Sequence, residues 1–367
     1  MADLYLGLIS GTSADAIDAA LARFGPAPEL VAARSFEYPP ALRARVLELS
    51  QRHDPIALAD YARLDIELGR AFAAAANALL AEARCERAAV RAIGSHGQTL
   101  LHAPRDAVPH TLQAGDPNVI AELTGITTVA DFRRRDVAAG GEGAPLMPAF
   151  HAAFLADASE QRVALNLGGI ANITRIDPDG GVLGFDTGPA NALLDAWSLR
   201  HRGTAHDEGG AWARSGRIDA DLLERLLADA YFARAAPKST GRDRFNLAWL
   251  ARIAPSLDDA VPADVQATLA ELTAVSIARA VRDAAPRAAR VVACGGGVHN
   301  AFVMERLARA LAPVPLQTSA AYGVPPDHVE AIGFAWLARA TLDGRAGNLE
   351  AVTGARGPRV LGGIFPA

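Results

Sequence analysis

The 367-residue chain has a single lysine, Lys238, among 36 basic residues; all the others are arginine. A Walker A loop needs Gly-Lys-Ser/Thr, and Lys238 instead follows Pro237, so a nucleotide here has to be held without a P-loop lysine. The strand lysine of a protein kinase, with the rest of that signature set, is missing too. Cysteine is also scarce. Cys85 and Cys294 are the only two, too few for a disulfide framework and in keeping with a reducing cytoplasm. None of the nine histidines joins a Cys/His cluster with zinc spacing. No uncharged apolar run reaches the length of a membrane span. Met1–Phe24 carries polar and acidic residues throughout, unlike a secretory signal. Net charge is −5 with no basic run, which argues against nucleic acid or an anionic membrane as partner.

What remains is an ordinary globular composition, 50% hydrophobic and 21% charged, on a chain longer than one core usually supports. Two domains are therefore expected. Leu4–Ile9, Ala88–Ile93, Ile126–Ala130, Val163–Leu167, Gly181–Phe185 and Arg290–Cys294 read as apolar strands. Asp54 or Pro55 opens a long helix whose face is Leu58, Tyr61, Leu64, Leu68, Phe72, Ala75 and Leu79, spaced by three or four. Further helices are expected over Leu193–Leu199, Ala220–Phe232, Gln266–Asp283, Ala301–Leu311 (with Asn300 as N-cap) and Glu330–Leu342. Ala14–Phe24 is alanine-rich, and propensity alone makes it a helix. Strands alternating with helices in both halves indicate an α/β fold. Leu4–Ile9 and Val163–Leu167 each run into a glycine-bearing polar turn and a second apolar stretch, the layout of a duplicated domain.

Several turns could carry chemistry. Ser10–Ser13 offers hydroxyls and backbone N–H groups after a strand, as a phosphate nest does, though Gly-Thr-Ser is common in plain turns. Gly295–Gly297 would let a backbone approach a flat ligand, or would simply join a strand to a helix. His96, in the polar stretch Gly94–Thr99, could touch substrate or be structural. Arg133–Arg135 could hold an anionic group or be a solvated run. Glu142, in the glycine-rich stretch Ala138–Pro145, and Glu330 could each be a surface or capping acid. That glycine-rich stretch is a candidate domain junction or active-site loop. Asp186, in Gly-Phe-Asp-Thr-Gly-Pro-Ala-Asn over Gly184–Asn191, is expected at the end of a strand in a tight loop. Asp-Thr-Gly serves both aspartic proteases and sugar kinases. A protease needs two such carboxylates in one site, and the motif occurs once; a symmetric dimer would leave the α/β pattern unexplained.

Taken together, the stretches GLISGTSADAID (Gly7–Asp18), SHGQTLLHAP (Ser95–Pro104), LQAGD (Leu112–Asp116), Asp131–His151, NLGGIANIT (Asn166–Thr174), GFDTGPAN (Gly184–Asn191), PKSTGRDRFN (Pro237–Asn246), CGGGVHN (Cys294–Asn300), Glu330–Ala338 and Val352–Gly354 resemble one family in order and completeness. It is anhydro-N-acetylmuramic acid kinase, of the actin/hexokinase type. Ile9 and Ala16 stand where that family usually has Met and Gly, and Glu142 where it commonly has Gln.

The resemblance implies two RNase H-like domains around a central cleft: residues 1–135 with about 350–367, and residues 136–349. It replaces the Ala14–Phe24 helix by a β-hairpin whose turn wraps nucleotide phosphates. It implies ATP-dependent phosphorylation of 1,6-anhydro-N-acetylmuramic acid at O6 with hydrolytic opening of the anhydro ring, in murein recycling. Asp186 would be the catalytic base. Glu330, Arg135 and His96 would contact the sugar, Arg135 through its lactyl carboxylate. Gly11, Thr12, Ser13, Ala14, Asp15, Ala16, Ile17, Asp18, Gly168, Gly169, Gly295, Gly296 and Gly297 would line the ATP site. Mg²⁺ would be held mainly through the ATP phosphates, with no protein ligand assigned. A cytoplasmic homodimer that closes its domains on substrate is also implied. Another sugar kinase of the same superfamily, or a catalytically silent nucleotide-binding regulator, would share many of these features.

Overall fold

The computed structural model describes residues 4–51, 56–255, 257 and 260–367. Its strands begin with β1 (Leu4–Ser10), β2 (Ala16–Phe24), β3 (Pro28–Glu37), β4 (Val90–Ala103), β5 (His110–Ala114) and β6 (Thr128–Ala130). They continue with β7 (Gln161–Leu167), β8 (Ile170–Ile176), β9 (Val182–Pro189), β10 (Ala288–Cys294), β11 (Leu316–Thr318) and β12 (Gly363–Phe365). Contacts divide the chain into two units. One comprises the residues up to Phe154 together with Tyr322–Ala367, the other Leu155–Ala321.

In the first unit β1, β2 and β3 form an antiparallel meander, β4 joins β1 in parallel, and β6 joins β4 in parallel. β5 pairs with β4, and β12 closes the edge on β6. In the second unit β7, β8 and β9 form the meander, β10 is parallel to β7, and β11 is parallel to β10. From the meander edge inward the first sheet runs β3-β2-β1-β4-β6 and the second β9-β8-β7-β10-β11, the same order once the extra strand β5 is set aside. This is the RNase H-like arrangement twice over, and it accounts for the repeated strand–turn–strand layout in the sequence.

The Ala16–Phe24 segment is a strand, paired with β1 from Leu4–Arg23 to Ile9–Asp18. Its alanines favour a helix in isolation. Here Ala19, Ala20 and Ala22 are fully buried, and small side chains suit a strand enclosed on both faces; tertiary packing overrides propensity. The long helix runs from Leu58 to Glu82 with Leu64, Leu68, Phe72 and Leu79 buried; an opening at Asp54 or Pro55 lies outside the described residues. The helix beginning at Ala220 ends at Leu227, short of the expected Phe232.

Two strands outrun their expected ends. β4 continues through Gly94–Thr99 as far as Ala103, so His96 lies in a strand and not in a loop. β9 runs on to Pro189, placing Asp186 inside a strand and not in a tight loop after it.

The unit boundaries fall elsewhere than the resemblance implies. Residues 136–154 and 322–349 group with the first unit. One reason is the helix Val329–Leu342, which lies directly on β1 and β4. A Cβ on Gly7 would stand 1.7 Å from the Ala331 carbonyl oxygen, and one on Gly94 would stand 2.0 Å from that of Phe334. Another is Asp136, fully buried, whose carboxylate accepts from Gly143 N, Asn348 Nδ2 and Thr353 Oγ1 at 2.7, 2.6 and 2.8 Å. That one side chain ties the glycine-rich stretch to the returning segment. Among the described residues no helix is long and apolar enough to cross a membrane.

Candidate active site

The candidate residues fall into two sets, one in each unit. In the first unit the hairpin turn after β1 leaves Gly11, Thr12 and Asp15 exposed and Ser13 half-buried. The turn is held from its carbonyl side. Gln98, fully buried, donates to Gly11 O at 3.1 Å and accepts from Tyr38 Oη at 3.2 Å. Arg43 donates to Ala14 O at 3.0 Å and to the Asp15 carboxylate at 2.6 Å. Ala14 N closes the turn on Gly11 O at 3.1 Å. These bonds leave the Thr12 and Ser13 N–H groups without a protein acceptor among the described residues, which suits an anion. The turn places its one left-handed residue at Ala14, φ 49°. Ala16 already belongs to β2, opposite Glu37, so a glycine is not needed there.

His96 and Arg133 meet beside the helix Val329–Leu342. Arg133, on the helix Phe132–Ala138, donates from Nε to His96 Nε2 at 2.9 Å and from Nη1 to Gly143 O at 2.7 Å. His96 Nδ1 lies 3.0 Å from Gly97 O and can only be its donor. The ring is thereby fixed as the neutral tautomer with a proton on Nδ1. Burial, reinforced by the charge of Arg133, holds its pKa well below the ordinary value. Phe334 packs on the same ring, centroids 4.7 Å apart, and Glu330 lies one turn earlier on that helix face.

Burial raises the Glu330 carboxyl, with Arg133 drawing it down and Asp18 pushing it up. Glu330 is nonetheless solvent-exposed, so a ligand can reach it. Burial also lowers Arg133, to about 10, opposed by Glu330 and Asp136, so it stays cationic at neutral pH.

Arg135 is placed differently. Residues two apart on a helix point to nearly opposite sides. Arg135 is exposed and has no ion pair among the described residues. The sequence singled out Arg133–Arg135 as a run; the arginine beside His96 and Glu330 is Arg133. Glu142 pairs with Arg105 at 2.5 Å.

In the second unit Asp186 sits opposite Asn172 on the neighbouring strand. Its backbone is clamped: Asp186 N donates to Lys238 O at 3.0 Å, and Tyr231 Oη donates to Asp186 O at 2.6 Å. Its carboxylate accepts one protein hydrogen bond, from Thr240 N to Oδ2 at 3.0 Å. Burial raises its pKa to about 6, and the Thr240 bond offsets only part of that. The result is a fixed carboxylate, ionised at neutral pH and basic enough to take a proton. The single lysine serves the structure here. Lys238 Nζ donates to Tyr231 O and Phe232 O at 3.2 and 3.1 Å, fastening the loop that carries Thr240.

The two glycine turns of this unit adjoin at the ends of β7 and β10. Gly295 takes φ 83°, and a Cβ there would stand 2.4 Å from Asn166 Oδ1; one on Gly297 would stand 2.7 Å from Leu167 Cβ. Gly296 between them is exposed and would meet nothing within 4 Å. The outer two glycines are thus required by packing, and Gly296 presents bare backbone. Gly168 O and Gly169 O accept from Asn191 N and Ala190 N at 3.1 and 3.0 Å. A Cβ on Gly169 would lie 2.8 Å from Arg242 Nε. Arg242 brings a cation to this turn. It lies in the stretch Pro237–Asn246, but neither periodicity nor spacing marks it.

Among the described residues no three His, Cys, Asp or Glu side chains gather as a metal site. In the first unit the Thr12 and Ser13 N–H groups, without a protein acceptor among the described residues, and in the second unit the open backbone at Gly296 with Arg242 nearby are donors that each suit phosphate oxygens better than a bare ion.

The family model described as anhydro-N-acetylmuramic acid kinase matches residues 3–367. A protein of that name from Xanthomonas campestris pv. campestris (strain 8004) is 56% identical over 368 residues, covering 99% of this chain and 97% of its own. One from Xylella fastidiosa (strain Temecula1 / ATCC 700964) is 55% identical, covering 100% and 97%. One from Chromohalobacter salexigens is 50% identical, covering 99% of both chains. The chain is a member of the anhydro-N-acetylmuramic acid kinase family.

Proposed function

We propose that this protein phosphorylates 1,6-anhydro-N-acetylmuramic acid at O6, with ATP as donor, while water opens the anhydro bridge. The products are N-acetylmuramic acid 6-phosphate and ADP. The observation that carries the mechanism is the Asp186 carboxylate, fixed by its backbone clamp and raised to about 6. An anhydrosugar has no free 6-hydroxyl, because O6 is bonded to C1. Water therefore attacks C1 and gives a proton to Asp186. The C1–O6 bond breaks, O6 takes the γ-phosphoryl group, and the bond from that phosphorus to ADP breaks. A general base contributes roughly 10²–10⁴-fold to such a step.

The Gly11–Asp18 hairpin and the Gly168–Gly169 and Gly295–Gly297 turns would hold the nucleotide through backbone N–H groups, with Arg242 adding charge. Mg²⁺, bound chiefly through the phosphates, would neutralise charge on the transferring group. Glu330 and neutral His96 would position the sugar. Arg133 replaces Arg135 as the group facing its lactyl carboxylate. Arg133→Met should raise KM for the sugar about tenfold or more, the worth of a hydrogen bond to a charged group, with a smaller change in kcat. Arg135→Met should stay within about threefold of wild type. Equal effects of the two substitutions in steady-state kinetics would reject the reassignment.

This reading includes a role in murein recycling, in the cytoplasm and as a homodimer, as the resemblance implies. An ADP-release assay tests it, with 1,6-anhydro-N-acetylmuramic acid, N-acetylmuramic acid and glucose as alternative acceptors. Release with the anhydrosugar and little with the other two is expected. Preference for a sugar with a free hydroxyl would indicate an ordinary sugar kinase. No release with any would indicate a regulator.

A further inference from the structure

The second unit holds a cavity of about 580 Å³ that the reaction above does not use. It lies between β9, the C-terminal part of the helix Pro262–Ala284 and the segment leading from Leu227 to Lys238. Leu183 and Phe185 line it. Side chains alternate across a strand, so Asp186 points to the other face. The cavity is thus separate from the carboxylate of the proposed reaction, with β9 as the wall between them.

Its lining is apolar below and cationic at the rim. Leu183, Phe185 and Phe232 give the apolar part, and Arg175, Arg234, Lys238 and Arg279 the positive charge, against one carboxylate, Asp283. Arg175 is already matched, by Asp177 at 3.0 Å and Ala284 O at 2.9 Å. Arg234 and Arg279 are exposed and have no carboxylate partner among the described residues. Two guanidinium groups without carboxylate partners among the described residues, beside an apolar lining, fit one kind of ligand; Arg234 also lies over the Tyr231 ring, 5.8 Å from its centroid. The volume is that of a small-molecule site, and arginine forks match the geometry of carboxylate and phosphate oxygens.

We propose that this cavity binds a small organic oxyanion, a carboxylate or phosphate carried on an apolar body, with Arg234 and Arg279 holding the oxyanion and Phe185 and Phe232 the body. The full-length protein is titrated with anilinonaphthalene sulfonate and, in parallel, with its uncharged parent phenylnaphthylamine, reading fluorescence. Saturable binding of the sulfonate is expected, with the uncharged parent at least tenfold weaker. Arg279→Glu and Arg234→Glu should each weaken the sulfonate at least tenfold, while Arg279→Glu leaves ADP release and the thermal midpoint unchanged. Phenyl phosphate or phenylacetate should displace the probe, and which one does so identifies the oxyanion; neither ATP nor the anhydrosugar should displace it. Unchanged binding in both variants, displacement by neither aryl anion, or displacement by ATP would each overturn the site. Binding is read without turnover, so loss of the proposed kinase activity would leave this test standing.

Discussion

Asp186→Asn should abolish nearly all turnover while nucleotide binding stays within about threefold of wild type, a fall in kcat of roughly 10²–10⁴-fold. Asparagine keeps the shape and can still accept the Thr240 N–H, but it cannot take a proton from water. Calorimetric titration with a nonhydrolysable ATP analogue, together with the ADP-release assay, separates binding from chemistry. Near-normal turnover would remove Asp186 as the base. The pH profile gives a second check. Burial raises Asp186 to about 6, and a base works only when deprotonated, so kcat should be level above about pH 6 and fall about tenfold per unit below it.

The same substitution should affect stability in the opposite sense. A carboxyl whose pKa is higher folded than unfolded favours folding while protonated, and that advantage is lost as pH rises through the folded value. For Asp186 the window runs from its ordinary value of 3.8 to about 6. Asparagine has no such titration. The thermal midpoint of the variant relative to wild type should therefore rise between pH 4 and pH 7.

Gly7→Ala is expected to be the most damaging substitution away from the reacting groups. The added Cβ would stand 1.7 Å from Ala331 O and 2.7 Å from Ala335 N. Both are helix backbone atoms, so no side-chain rotation relieves the overlap; the helix Val329–Leu342 must lift from β1. Overpacking commonly costs about 1–3 kcal/mol and a backbone collision more, equivalent to a fall in apparent Tm of roughly 5–10 °C. Gly296→Ala is the control: its Cβ would meet nothing within 4 Å, and its midpoint should move by no more than about a degree or two. Because the same helix carries Glu330, any folded Gly7→Ala protein should also show a raised KM for the sugar. A Gly7→Ala midpoint as high as that of Gly296→Ala would contradict the close packing of helix on sheet.

The α/β alternation and the duplicated layout were legible in the sequence because they rest on apolar periodicity. The hairpin at Ala16–Phe24 was not legible from periodicity or propensity: its alanines are there for close packing, and only the resemblance indicated a strand. The polar stretch Gly94–Thr99 looks like a loop to any hydrophobicity argument. It is a strand because Ser95, His96 and Gln98 are buried, with His96 and Gln98 hydrogen-bonded to Arg133, Tyr38 and Gly11. Polar groups that serve a site break the pattern that reveals secondary structure. Asp186 was visible through its motif, and its raised pKa only through its burial. Arg133 and Arg135 are two identical letters in sequence; the direction each takes from its helix distinguishes them. The unit boundaries were hidden because Asp136 reaches Asn348 and Thr353, contacts between segments far apart in the chain.

In the proposed reaction Asp186 activates a water that ends up in the sugar. Turnover of 1,6-anhydro-N-acetylmuramic acid with ATP in oxygen-18 water, followed by mass spectrometry of the product, tests it directly. One heavy oxygen is expected on C1 of N-acetylmuramic acid 6-phosphate and none in its phosphate group. Heavy oxygen in released inorganic phosphate, with the sugar unlabelled, would mean simple ATP hydrolysis and would contradict it.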